Sequence, residues 1–171
     1  MSLSPTPHPA SYPSLLPTPA PGPRLRPHDL LDGPSLRILL AHGNGPLRRL
    51  LSLLLRRDGH RVSEAQDAAT MLEAAVASSM ARAGDSAFDA IICEQDLPGA
   101  TGTTVLAQLR SSGLETPFIL MTDALDFQGR ARLLGAVILD GHMTLRSLRE
   151  AVQAAAATPE PRADPHGSWN W

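Results

Sequence analysis

Between residues 36 and 156, short apolar runs alternate with stretches whose apolar residues recur every three or four positions. Leu36-Arg37-Ile38-Leu39-Leu40-Ala41 is the first run, closed by Gly43-Asn44-Gly45, and it predicts a buried strand. From Pro46 to Asp58, Leu47, Leu50, Leu51 and Leu54 fall at helical spacing, with Arg48, Arg49 and Arg56 largely off that face. Pro46 suits the first helical position and Gly59 the stop. His60 to Ala65 predicts a shorter second strand. Asp67 is placed to cap an alanine-rich helix that continues to about Arg82, before Gly84. Phe88 to Cys93 predicts a third strand, and Gly102 to Leu109 a third helix stopped by Gly113. Pro117 to Met121 is a fourth strand, Asp126 to Leu134 a fourth helix, and Val137 to Leu139 a brief fifth strand. A last helix from Leu145 to Ala156 carries Leu145, Leu148 and Val152 on one face.

Five strands alternating with five helices imply a parallel sheet covered on both sides. Right-handed crossovers then favour a flavodoxin-like, doubly wound α/β fold with five strands in the order 2-1-3-4-5. Ligands of such sheets sit at the carboxyl ends of the strands, near the switch in strand order. The positions to inspect are therefore those after Ala41, Cys93, Met121 and Leu139.

The flanks read differently. Residues 1–34 hold ten of the 16 prolines, which remove backbone donors and fix φ, so a disordered, partly polyproline II arm is expected. Residues 158–171 are expected to form a second disordered tail, in which Trp169 and Trp171 offer anchors for a partner or have no role. The domain proper is expected over 35–157.

Composition narrows the class. The chain of 171 residues has a formal net charge of −2, which gives no general attraction to nucleic acid or anionic membrane. A single cysteine, Cys93, excludes an internal disulfide and suits a reducing compartment. No apolar run is long enough to span a bilayer and no secretory leader stands out, so a cytoplasmic protein is expected. All 15 basic residues are arginine; lysine is absent.

The loops at the strand ends are more specific. Arg37-Ile38-Leu39-Leu40-Ala41, then Pro46-Leu47-Arg48-Arg49-Leu50-Leu51, resembles the first strand and helix of a bacterial two-component response-regulator receiver domain. Asp89-Ala90-Ile91-Ile92-Cys93-Glu94-Gln95-Asp96-Leu97-Pro98-Gly99, with Gly102, resembles that family's third strand and the loop after it. Pro117 to Thr122 and Gly135-Ala136-Val137 resemble the fourth strand and the approach to the fifth. The resemblance runs from about Leu36 to Ala156. It implies phosphoryl transfer to an Asp ending strand three. It also implies an acidic pair after strand one that helps to hold Mg²⁺, a Thr or Ser after strand four, and a Lys after strand five. The chemistry needs them: a hard cation wants oxygen ligands, and developing charge wants fixed donors and cations.

Matched by position, the chain departs from that set. His42 and Gly43 stand where the acidic pair is implied, and Glu94 stands at the phosphoacceptor. Thr122 keeps the hydroxyl. The lysine position falls on Gly141, or on His142 in an ungapped alignment. Glu94 also carries its carboxylate one methylene further out, which misplaces a nucleophile. The expectation is a stand-alone degenerate (pseudo-receiver) module of phosphorelay signalling, with no enzymatic activity, no cofactor, and Mg²⁺ binding weak or lost. It acts by phosphorylation-independent contact with a histidine kinase or another signalling protein, or as a homodimer, through the fourth helix, fifth strand and fifth helix. In this family a Glu at the acceptor position can imitate the phosphorylated state, so an active-like or inactive-like lock is left open.

Other readings are weaker. An unusual acceptor site around Glu94 and Asp96 would keep phosphorylation, though a solvated loop carboxylate is the simpler role for Asp96. Asp123 and Asp140 serve turns and caps more readily than a cation site. His42, Cys93, Glu94 and His142 are ligand types acceptable to zinc, but Cys93 reads more simply as a small core residue. Gly43-Asn44-Gly45 begins like a phosphate loop, yet the third glycine and the P-loop lysine are missing. His42-Gly43-Asn44-Gly45 resembles an oxyanion loop, but no Gly-x-Ser-x-Gly elbow follows. Arg48, Arg49, Arg56 and Arg57 read as the solvated side of the first helix and not as a DNA-binding patch.

Overall fold

The computed structural model describes residues 34–80 and 88–157. Within them strands and helices alternate: β1 (Arg37–Ala41), α1 (Gly45–Arg57), β2 (Arg61–Ala65), α2 (Ala68–Met80), β3 (Ala90–Glu94), α3 (Gly102–Ser111), β4 (Phe118–Met121), α4 (Leu125–Leu133), β5 (Ala136–Leu139) and α5 (Leu145–Ala157). The Pro-rich arm, the tail with Trp169 and Trp171, and the expected end of the second helix at Arg82 and Gly84 lie outside the described residues.

All five strands are parallel in the order β2-β1-β3-β4-β5, the flavodoxin-like arrangement expected. The period-two alternation of a strand sends successive side chains to opposite faces, and both faces are covered. Leu39, Ile91, Cys93, Phe118 and Leu120 pack with Met71 of α2 and with Val105, Leu106 and Leu109 of α3. Ile38, Leu40, Ile92, Ile119 and Leu139 pack with Leu51 and Leu55 of α1 and with Leu148, Val152 and Ala155 of α5. This double burial explains why β1, β3 and β4 read as continuous apolar runs.

Local chemistry sets the helix ends. Asn44 caps α1 by accepting from the Leu47 amide at 3.0 Å. Asp67 accepts from the Thr70 amide at 2.8 Å at the start of α2, the capping role expected of it, and this bond holds its carboxyl below the usual range. Thr101 accepts from the Thr104 amide at 3.2 Å ahead of α3. Gly59 and Gly113 follow α1 and α3 with φ of 94° and 80°, left-handed values that suit glycine. α4 is the poorest helix. Its N-cap, Ala124, offers no side-chain bond, Gly129 sits in its middle, and Ala131 is its one buried residue.

The sequence pattern placed the inner face of α1 only in part: Leu51 is buried and Leu47 packs on the core as expected, but Leu50 does not. Leu51, Ser52 and Leu55 are buried, whereas Leu50 is 52% and Leu53 64% exposed. Leucines occupy positions on every side of this helix, so the pattern does not fix its phase; packing on the sheet does. Arg48 is also not part of the solvated side. Its guanidinium donates to the His42 carbonyl at 2.5 Å and stands 3.5 Å from Glu64. In α5, Leu148 and Val152 are buried, but Leu145, at the first position, stays substantially exposed.

Two arginines join separate elements at the far end of the sheet from the site. Arg149 of α5 makes two 2.6 Å bonds to the Asp58 carboxylate just past α1. Arg110 of α3 donates to the carbonyls of Leu114, Thr116 and Leu134 at 2.6, 3.1 and 3.0 Å. Among the described residues, no helix is long and apolar enough to cross a membrane.

Candidate receiver site

At the carboxyl edge of the sheet the ladder continues one residue past the strands. The His42 amide donates to Ala65 O, Gln95 to Met121 O and Thr122 to Leu139 O. These bonds bring His42, Glu94, Thr122 and the Asp140-Gly141 turn around one cleft of about 320 Å³, lined also by Leu47, Asp96, Asp123 and Met143. The switch in strand order between β1 and β3 lies at its floor, where such folds place their sites.

The tightest contact joins His42 to Glu94, with Nδ1 and Oε2 2.8 Å apart. The same Oε2 accepts the Gly43 amide at 2.8 Å. This sets an imidazole nitrogen directly against a carboxylate oxygen. Nδ1 also accepts the Asn44 amide at 3.1 Å, which fixes the ring against the start of α1. Burial lowers the His42 pKa, Glu94 opposes that shift and Arg48 adds to it. The ring is therefore neutral near pH 7, and one carboxylate oxygen of Glu94 is held by the loop after β1.

The remaining positions are also engaged. Thr122 is buried, and its hydroxyl accepts the Ala124 amide at 3.1 Å, turning the chain into α4. Asp123 accepts the Gly141 amide, and its carboxylate fills the space where a β-carbon at 141 would stand. Asp96 and Asp140 are exposed at the rim. His142 is exposed and does not line the cleft. Cys93 points to the opposite face of the sheet, where its thiol donates to the Glu94 carbonyl at 3.2 Å. Burial, and then Glu94, push its pKa far up, so it is a protonated core thiol. Of the four residues weighed for zinc, the structure thus brings together His42 and Glu94 alone. Among the described residues no group of three or more His, Cys, Asp or Glu is placed to hold a metal.

Three supports of the site were not read from the sequence. Gln95, buried next to Glu94, accepts the Thr103 amide and hydroxyl at 3.1 and 2.7 Å and so fixes the start of α3. A β-carbon at Gly102 would lie 2.6 Å from the Glu94 carbonyl oxygen and 2.6 Å from Leu120 Cδ1, so this glycine lets α3 approach β3. A β-carbon at Gly43 would lie 2.8 Å from Pro98 Cδ. The Pro98-Gly99 pair signalled a turn, but nothing in the sequence signalled its contact with residue 43.

Residues 38–153 match the response regulator receiver domain family, and the chain belongs to it. It is a receiver domain of two-component signalling, a class that signals by interacting with histidine kinases or other proteins. Among curated proteins, it is 36% identical over 95 residues to the transcriptional activator protein PfeR of Pseudomonas aeruginosa, a match covering 56% of this chain and 28% of that protein. Its fold is similar to that of the chemotaxis protein CheY4 of Vibrio cholerae, with a TM-score of 0.60 and 21% identity over 71% of this chain and 99% of that one. A response regulator receiver domain protein from Clostridium thermocellum gives a TM-score of 0.64 at 20% identity, over 71% and 94% of the two chains.

Proposed function

We propose that this receiver is degenerate, a pseudo-receiver that works by phosphorylation-independent protein–protein interaction. The observation that carries the reading is the closure of the loop after β1 onto Glu94, whose Oε2 accepts the Gly43 amide and lies 2.8 Å from His42 Nδ1. One of the two carboxylate oxygens at the acceptor position, Oε2, is thus engaged by the loop that would have to supply the acidic ligands. The donor set does not fit Mg²⁺. That cation demands near-octahedral hard oxygen ligands, and the two positions after β1 offer an imidazole and a side-chain-free glycine. No lysine exists to meet charge on a transferred group, and the Thr122 hydroxyl is already committed to a turn. Against the alternative acceptor, Asp96 lies at the exposed rim with no cation beside it among the described residues.

The proposed docking surface is α4, β5 and α5. Leu125 and Leu133 of α4 are 79% and 90% exposed, and Phe127 and Leu145 add to this apolar surface. Isolated exposed leucines are ordinary, but two on one sparsely buried helix suit a contact surface. The partner is a histidine kinase, another signalling protein or a second copy, and the setting is the cytoplasm.

The test is a backbone amide NMR titration with Mg²⁺ and then beryllofluoride, with intact mass measured after treatment with a small phosphodonor. The reading expects unmoved signals at Glu94, Thr122 and β5, and no added mass. Concerted shifts at millimolar Mg²⁺ or below, or a gain of one phosphoryl group, would overturn it.

A further inference from the structure

The outer face of α1 has no partner among the described residues. Leu50 and Leu53 are exposed one turn apart, and Arg49, Arg56 and Arg57 flank them. The side chains of Arg49 and Arg57 make no hydrogen bond or ion pair with any described residue. Arg56 donates to Val62 O at 2.9 Å and lies 3.6 Å from Glu64 Oε1, and remains half exposed. The face therefore reads Arg-Leu-Leu-Arg along the helix.

The chain enters the domain beside the end of this helix. The Ser35 hydroxyl donates to Gly59 O at 2.6 Å, and the Leu36 amide donates to His60 Nδ1 at 3.3 Å. Immediately upstream the sequence is Asp29-Leu30-Leu31-Asp32-Gly33. Its order of acid, Leu, Leu, acid complements the α1 face in charge and in apolar spacing. The reach also fits. Five residues back from Pro34 extend up to roughly 17 Å, and Arg57 to Leu50 spans about 10 Å of helix.

We propose that Asp29-Leu30-Leu31-Asp32 docks in cis on the outer face of α1. Asp32 meets Arg56 and Arg57, the two leucines cover Leu53 and Leu50, and Asp29 meets Arg49. The segment then screens this face from other proteins, so a partner that uses α1 must displace it. This contact is independent of whether Glu94 can be phosphorylated.

Disulfide trapping tests it, because the one native thiol, Cys93, is buried. In the full chain, Leu31→Cys is paired with Leu53→Cys, or with Ser111→Cys at the exposed end of α3 on the other face of the sheet. Intramolecular oxidation is expected to be at least about tenfold faster for the 31–53 pair. Asp29→Arg with Asp32→Arg should reduce it to the 31–111 rate. So should about 1 M salt, where the screening length falls to roughly 3 Å. Equal rates for the two pairs, or cross-links formed only between chains, would overturn the proposal. A second measurement needs no cysteine: amide shifts of Leu50, Leu53 and Arg57 are expected to move in the Asp29→Arg/Asp32→Arg chain, and unmoved signals would also overturn it.

Discussion

Gly43 and Pro98 frame Glu94 from two loops, and their contact predicts a measurable coupling. A methyl group at 43 would lie 2.8 Å from Pro98 Cδ and 3.0 Å from Cγ, against a comfortable carbon–carbon separation of about 3.5–4.0 Å. The proline ring is rigid, and overpacking of this kind costs about 1–3 kcal/mol. One gain opposes it: Gly43 does not have a positive φ, and Gly→Ala in compatible backbone stabilises by about 0.4–1 kcal/mol through the unfolded chain. The steric cost is the larger, so Gly43→Ala is expected to destabilise by about 1 kcal/mol. In a Pro98→Ala background the ring atoms are gone, while the carbonyl of residue 98 still accepts the Ala68 amide, a 2.9 Å bond in the native chain. There the same methyl should be neutral or stabilising, giving a coupling of about 1–2 kcal/mol in the double-mutant cycle. Urea unfolding of the four proteins with a shared m-value reads this directly. A neutral Gly43→Ala in the native background, or the same cost with and without the ring, would refute the steric argument. Gly43→Asp inherits the obstacle and is expected not to create Mg²⁺ affinity alone.

Three further outcomes follow from the site and its supports. His42→Ala removes the 2.8 Å contact with Glu94 and the acceptor of the Asn44 amide and should cost about 1–3 kcal/mol, measured by chemical denaturation; a neutral result would mean that these contacts contribute nothing. His42 and His60 both have pKa values lowered from 6.5 by burial, so the unfolded chain takes up their protons first. Stability is therefore full above about pH 6.5 and falls as pH drops towards the folded values; melting temperatures between about pH 7.5 and 5.5 should decline, and less steeply in His42→Ala. Gly102→Ala drives a methyl against a backbone carbonyl that cannot swing aside and should cost about 2 kcal/mol, seen as a lower urea midpoint.

The sheet and its order were legible because β1, β3 and β4 are buried on both faces, so their apolar runs are unbroken and end at turn residues. Helix limits were legible where a cap or a left-handed glycine marks them, as at Asp67, Gly59 and Gly113. The phase of α1 was not legible, since leucines surround the helix and only contact with the sheet selects Leu51 and Leu55. Within the site, sequence position put His42 and Glu94 at neighbouring strand ends, but did not reveal that they touch. Their contact depends on the one-residue continuation of the ladder past β1. The contacts of Gly43 with Pro98 and of Gly141 with Asp123 were invisible, because a glycine in sequence does not say what fills the space it leaves.

Arg110 also bears on the order in which the chain assembles. Its guanidinium closes links to Leu114, Thr116 and Leu134, which lie 4, 6 and 24 residues away. Closure entropy grows with separation, so the two short links can form while α3 is still the only ordered neighbour. The turn before β5 then arrives at a cation already held in place. Native-state hydrogen exchange should find the amides of Leu134 and Gly135 opening at lower free energy than those of Gly113 and Leu114, which would make the β5 edge the domain's earliest point of unzipping.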